Sequence, residues 1–341
     1  MLKQFSLAAL ATTLLTGTAF ANGPELFIED FVGTIKIENS SSDNISITRD
    51  KNMKGVNLVE QGDNLKIDGG ISKPDGNKCK GYYGSYSFGF FKKENSGEFG
   101  GYEDLDDYPQ ITVSVPKDAV LVIENSIAFI AAEDLGAADL DLRYCGKVNL
   151  GNIVGDLRAD ILGSADLTAG DVGNVDVDIR GSGDLAVQNA ENIVLSVAGS
   201  GDAEFDTVES ADVRVSGSGD ISFGDIGGAL AAESRGSGDI EAGNVAGDFI
   251  YDASGSGDLD IGDVTGNRIS VDVSGSGDVS IDGGDVETLK ITASGASEVD
   301  YDGTAETADL VATGASDIYV NKVTGDVRSK ERGAADISVS N

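Results

Sequence analysis

The chain has 341 residues, 59 acids against 24 basic residues, a net charge of -35 and no histidine. Acidity of that order argues against nucleic acid and anionic membrane surfaces as partners, since phosphate binding needs Lys and Arg. Without histidine there is no Ser-His-Asp or Cys-His set, and two cysteines cannot supply a zinc site of the usual kind.

The chain opens "MLKQFSLAALATTLLTGTAFANG". Lys3 gives a positive start, an apolar stretch follows from Phe5 to Leu15, and Ala19-Phe20-Ala21 is a cleavage signature. Residues 1–21 read as a secretory signal peptide and are set aside from the fold. No later apolar run is long enough to span a bilayer as a helix. The expected locations are the periplasm, the cell surface or the extracellular space.

Residues 22–70 alternate apolar and polar side chains, as in "FVGTIKIEN", "NISITRD" and "NLKIDG". Period-2 alternation predicts strands with one buried face, here read as the first coils of a repeat fold. Residues 71–107 then depart from everything around them, with many glycines, several lysines and the aromatics Tyr82, Tyr83, Tyr86, Phe88, Phe90 and Phe91. Tyr-, Gly- and Ser-rich segments of this length serve as adaptable binding loops. The competing reading is a hairpin that flanks or caps the fold with its aromatics packed down. Cys79 in this insert and Cys145 beyond it form a disulfide candidate, which an oxidising export compartment permits.

From residue 108 to 341 the alternation resumes and becomes periodic. A corner reading S-G-S-G-D, or a decayed form of it, places an acid at Asp166, Asp184, Asp202, Asp220, Asp239, Asp258, Asp278, Glu298, Asp317 and Asp336, at intervals of 18 to 20 residues. A period near 20 is a solenoid signature, and atypical repeats at the ends of an array are expected. After each acid comes a short alternating strand, then a second corner such as "GDVGN" or "GDVTG" whose glycine suggests positive φ, then another strand. The middle aliphatic of that second corner (Val172, Ile226, Val245, Val264) is expected to point inward. No helical pattern occurs. The predicted fold is all-β: a right-handed parallel β-helix with 18–20 residues per coil.

Carboxylates stacked one coil apart repel by ~0.9 kcal/mol per neighbour even at water's dielectric. Two arrangements offset this. Each Asp caps its own turn by accepting backbone N–H bonds, or cations bridge the ladder, which makes Asp184, Asp202, Asp220, Asp239, Asp258 and Asp278 candidate calcium ligands. Arg143, Arg180, Arg214, Arg235 and Arg268 read as scattered solubilising charges. No cofactor motif is present, because the G-x-G strings are repeat corners rather than strand-to-helix turns.

The run of "GSGD" corners, following a signal peptide and an alternating N-terminal segment, resembles the head GIN domain family of autotransporter adhesins, most strongly from Gly163 to Asp336. The resemblance implies an exported β-helix that binds rather than catalyses. On this reading the chain is a non-catalytic adhesin or cell-envelope binding module, its partners a glycan, matrix or an envelope protein, with an end-to-end or edge homodimer as a further expectation. A calcium-responsive structural module is the alternative, and a polysaccharide-active β-helix enzyme a third reading.

Overall fold

The computed structural model describes residues 23–71 and 108–340. Every regular element among them is a strand, and all strands join one continuous hydrogen-bonded system coiled into a parallel β-solenoid. The predicted fold class is thus observed. Strand and corner alternate, and each coil strand pairs in parallel with its counterpart one coil away. Leu195 aligns with Val213, Val213 with Ala232, Ala232 with Tyr251, and Tyr251 with Val271.

Alternation explains why these sequences coil. In Ile221–Ile226 the side chains of Ile221, Phe223 and Ile226 are buried, while Ser222, Gly224 and Asp225 face out. The inward rows stack into one core running the length of the solenoid. Phe205 and Phe223, on adjacent coils, stack at 5.2 Å between ring centroids. Such offset stacking adds about 0.5–1.5 kcal/mol to the burial itself. Val172, Ile226, Val245 and Val264 are buried at the second corner, as their sequence position predicted. Tyr301 is fully buried, and its phenol donates to the Gly284 carbonyl at 2.9 Å or the Thr304 carbonyl at 3.2 Å. Tyr251 is also buried, which pushes its phenol up to about 12.

Stacking order differs from chain order at the front. Glu25–Glu29 pairs in parallel with both Asn64–Asp68 and Val120–Glu124. Val32–Asn39 pairs with both Gln110–Val115 and Ile127–Ala132. The first coil in sequence therefore sits between the two coils that follow it. The strands Ser46–Lys51 and Asn57–Gln61 are not coil strands: they run antiparallel on Gln110–Val115 and Asn64–Asp68 and close that end. Ile45, Ile47, Met53 and Val56 from this excursion pack on the end of the core.

Candidate functional site

The S-G-S-G-D corner positions the site. At Gly199 an added Cβ would lie 1.9 Å from the Gly181 carbonyl oxygen, and Gly217, Gly236 and Gly255 meet the same obstacle in their turn. These glycines have no positive φ. They are glycines because the backbones of successive coils touch, which no side chain permits. The second corner follows the same rule: Gly224 would collide with the Asp206 carbonyl at 2.0 Å, and none of Gly170, Gly224, Gly243 and Gly262 has positive φ. The expectation of positive φ there is corrected. The decayed corners are different. Gly295, Gly314 and Gly333 have φ of 108°, 92° and 95°, and the next serines turn inward, so that Ser297 and Ser316 are buried.

Close approach lets the parallel ladder pass the corner. The Ser200 N–H donates back to the Gly181 carbonyl at 2.9 Å, and Ser218 N–H to Gly199 at 3.0 Å. Beyond the acid the direction reverses, and the Leu185 N–H donates forward to the Asp202 carbonyl at 2.9 Å. The acid's own N–H lies at the reversal and needs another acceptor. The carboxylate of the preceding coil supplies it. Asp202 N–H donates to Asp184 Oδ1 at 3.0 Å, Asp220 to Asp202 at 2.9 Å, Asp239 to Asp220 at 2.9 Å, Asp258 to Asp239 at 2.8 Å and Asp278 to Asp258 at 2.9 Å. Each Asp therefore caps the next coil's turn, not its own. An N–H bond to an ionised acceptor contributes about 1.5–3 kcal/mol, more than the repulsion between neighbouring carboxylates in water. The chain of bonds reaches Glu298, whose N–H donates to Asp278 at 2.9 Å. There it breaks: the Asp317 N–H turns to the Ser297 carbonyl at 3.0 Å, and the ladder resumes from Asp317 to Asp336 at 3.2 Å.

One carboxylate oxygen per coil is thus committed to the fold, and four of these acids line a shallow groove of about 330 Å³. Asp184, Asp202, Asp220 and Asp239 line it together with Glu204, Ser222 and Glu241, which form a second row two residues further along the same coils. Burial raises the Glu204 carboxyl from its ordinary range, with Asp206 adding to the effect. At the start of the ladder, burial raises Asp166, the Asp184 N–H opposes this, the Asp184 charge adds to it, and Lys147 opposes it.

All six candidate calcium ligands are thereby brought into one line: Asp184, Asp202, Asp220, Asp239, Asp258 and Asp278, one per coil. Among the described residues no group of three or more acidic, Cys or His side chains converges to hold a metal ion. The aromatics Tyr82, Tyr83, Tyr86, Phe88, Phe90 and Phe91 lie outside the described residues, as do Cys79 and residues 1–21. Cys145 is buried and is not a free thiol.

Four of the five arginines read as scattered are ordered in ion pairs. Arg143 pairs with Asp141 at 2.7 Å, Arg180 with Asp178, Arg214 with Asp212 at 3.1 Å, and Arg235 with Glu233. Each partner is two residues back on the same strand face, a spacing visible in "DLR", "DIR", "DVR" and "ESR". Being exposed, such pairs add little stability. On another flank Asn174 donates to Asp156 at 2.8 Å, Asn192 to Asn174 at 2.9 Å, and Ser210 to Asn192 at 2.9 Å.

No helix among the described residues is long and apolar enough to cross a membrane. No curated protein and no solved structure matches the chain. Residues 33–224 and 228–341 match the family model described as "Putative auto-transporter adhesin, head GIN domain". The corners, the coil period and this match over nearly the whole chain agree, and the protein belongs to the head GIN domain family.

Proposed function

We propose that the protein is an exported, non-catalytic binding module of the cell envelope, with an adhesive role. The observation that carries this reading is the uniformity of the ladder from Asp184 to Asp278, one carboxylate per coil, of which Asp184, Asp202, Asp220 and Asp239 line one groove. A reaction centre is a local exception to its surroundings, whereas here each coil repeats its neighbour. A periodic acidic face suits an extended partner that repeats too: a hydroxyl-rich glycan, matrix, or a basic stretch of an envelope protein. Hydrogen-bond acceptors spaced by one strand separation can engage such a polymer many times, so that weak contacts add through effective concentration.

Two measurements test the reading. Protease treatment of intact cells, against a lysed control, should digest the protein from outside; protection until the outer membrane is breached would remove the adhesive role. On glycan and matrix arrays, the triple variant Asp202→Asn, Asp220→Asn, Asp239→Asn should lose binding while its melting curve stays close to that of the parent. Retained binding would move the site off the ladder.

A further inference from the structure

The last coil of the described fold reverses the sign of the molecule. In Val327–Gly333 the register with Leu310 and Ala312 turns Ser329 and Glu331 inward, so Arg328, Lys330 and Arg332 point out. These three stand at alternate positions of one face, about 6.6 Å apart and about 13 Å from first to last. All are exposed, and no other described strand carries three basic residues. Arg143, Arg180, Arg214 and Arg235 each pair with an acid two residues back. Arg328 has Asp326 at that spacing, yet among the described residues none of the three basic side chains makes an ion pair or a hydrogen bond.

Register fixes what lies beside the row. Asp309, Val311 and Thr313 align with Arg328, Lys330 and Arg332, and Lys290 and Thr292 align with Asp309 and Val311 from one coil further back. These side chains face out as well, because Leu289, Ile291, Leu310 and Ala312 between them are buried. The patch therefore joins four cations and one acid to two hydroxyls and the half-buried Val311. Before it the same flank is acidic, with Asp252 aligned on Asp272 and Asp272 on Thr292. The charge of the remaining chain does not reach this far: screening acts within about 8 Å at physiological salt, less than two coils.

The geometry selects among anionic partners. Cations spread along a straight strand do not converge on one small anion, but they match a chain that repeats its charge. A peptide strand added at this edge would set alternate side chains over Ser329 and Glu331, which opposes pairing of that kind. A sugar polymer needs only the outward face. Guanidinium groups pair with its carboxylates or sulfates, the threonine hydroxyls meet its own hydroxyls, and Val311 underlies the C–H face of a ring. We infer that the outward face of Val327–Gly333 binds an acidic polysaccharide laid along the strand. This site goes beyond the adhesive reading, which uses the acidic ladder and partners of the opposite character.

The test uses the full chain and immobilised polygalacturonate, heparin and uncharged dextran. The parent should bind the two acidic polysaccharides, leave them as salt is raised, and ignore dextran. The triple variant Arg328→Gln, Lys330→Gln, Arg332→Gln should bind them at least about tenfold more weakly, with a melting curve close to the parent's because all three positions are exposed. The ladder variant Asp202→Asn, Asp220→Asn, Asp239→Asn should bind them no more weakly than the parent, which separates this site from the one on the ladder. A parent that binds neither acidic polysaccharide, or a triple glutamine variant that binds as well as the parent, would overturn the proposal. Poly-glutamate or phosphatidylserine vesicles serve as the remaining arms. If either is held as tightly as polygalacturonate and released by the same three substitutions, the row belongs to an acidic peptide or a membrane and the glycan assignment falls.

Discussion

The two halves of the solenoid are built from the same alternating strands but obey different ordering rules. From Gly163 onward each coil stacks on its predecessor in sequence, and the same backbone bonds recur at each corner. At the front, the coil of residues 25–39 lies between coils that come later, and antiparallel strands close the end. At the periodic corners consecutive coils close on one another through bare backbone, as Gly199 does on Gly181. Where that corner is missing, any parallel edge with an apolar face is acceptable. The later coil of residues 64–68 and 110–115 takes the outer position, and the chain protects it with Ser46–Lys51 and Asn57–Gln61. Open sheet edges need such cover. The last coil is treated otherwise. Val327–Gly333 is exposed throughout, and by register with Leu310 and Ala312 it places Ser329 and Glu331 at inward positions. Polar and charged side chains there discourage another chain from extending the core.

Truncation gives the largest contrast between these ends. Deleting residues 23–39 removes a coil from inside the stack and strips both faces of its neighbours, so the variant should lose its cooperative melting transition in circular dichroism. Deleting residues 325–340 removes one exposed end coil and should lower the melting temperature by no more than about 5 °C. Equal losses would mean that the front stacks in chain order after all.

Glycine substitution sharpens the same comparison. Gly217→Ala sets a Cβ 1.9 Å from the Gly199 carbonyl, and both coils must part to admit it. Urea unfolding should register a loss of about 3 kcal/mol or more. Gly62, in the turn between the front strands, has φ of 64° and nothing within 4 Å of its would-be Cβ. Gly62→Ala should cost about 1–2 kcal/mol, the penalty of a left-handed backbone alone. A similar cost at both sites would remove close approach as the reason for the corner.

The ladder acid offers a smaller effect with an internal control. Asp220→Ala leaves the Asp239 N–H without its acceptor at an exposed corner, a loss of about 1 kcal/mol. Asp220→Asn keeps an acceptor oxygen and removes one charge from the row, so its urea midpoint should stay near the parent's. The difference between Asn and Asp should shrink as salt is raised. If Asn is as damaging as Ala, the charge rather than the acceptor holds the corner.

These contrasts trace what a reader of the sequence can and cannot see. The 18-to-20-residue spacing of the acids revealed the coil, and alternation around residues such as Phe205 and Ile261 revealed which side chains enter the core. Spacing also aligned Asp202 with Asp220 in one row. It did not reveal which N–H each carboxylate meets, because the own turn and the next coil are both within a side chain's reach. That choice depends on the reversal of hydrogen-bond direction at the acid, a property of the stack. Nor does alternation in "FVGTIKIEN" name a neighbour, since Ile35 and Ile37 pack equally well against any parallel strand of the same pattern. The Asp–x–Arg pairs were legible and would have been found by asking which charges share a strand face.

The first rung of the ladder supplies the smallest and most pointed test. The Asp166 carboxyl is raised above its ordinary range chiefly by burial, while its bond from the Asp184 N–H is long, at 3.4 Å. A raised acid binds its proton more tightly in the folded chain than in the unfolded one. Its contribution to stability is therefore fully present below the ordinary carboxylate range and is lost as pH rises through the raised value. Asp166→Asn cannot ionise and escapes that loss. Its melting temperature relative to the parent should accordingly climb across that window and stay higher at neutral pH, by a shift of order 1 °C. Asp202→Asn, next but one along the row at a well-formed rung whose carboxylate accepts from the Asp220 N–H at 2.9 Å, serves as the reference. A flat difference between Asp166→Asn and the parent across pH would mean that Lys147, the opposing charge, cancels the burial of the first rung. The row would then carry its charges alike from end to end.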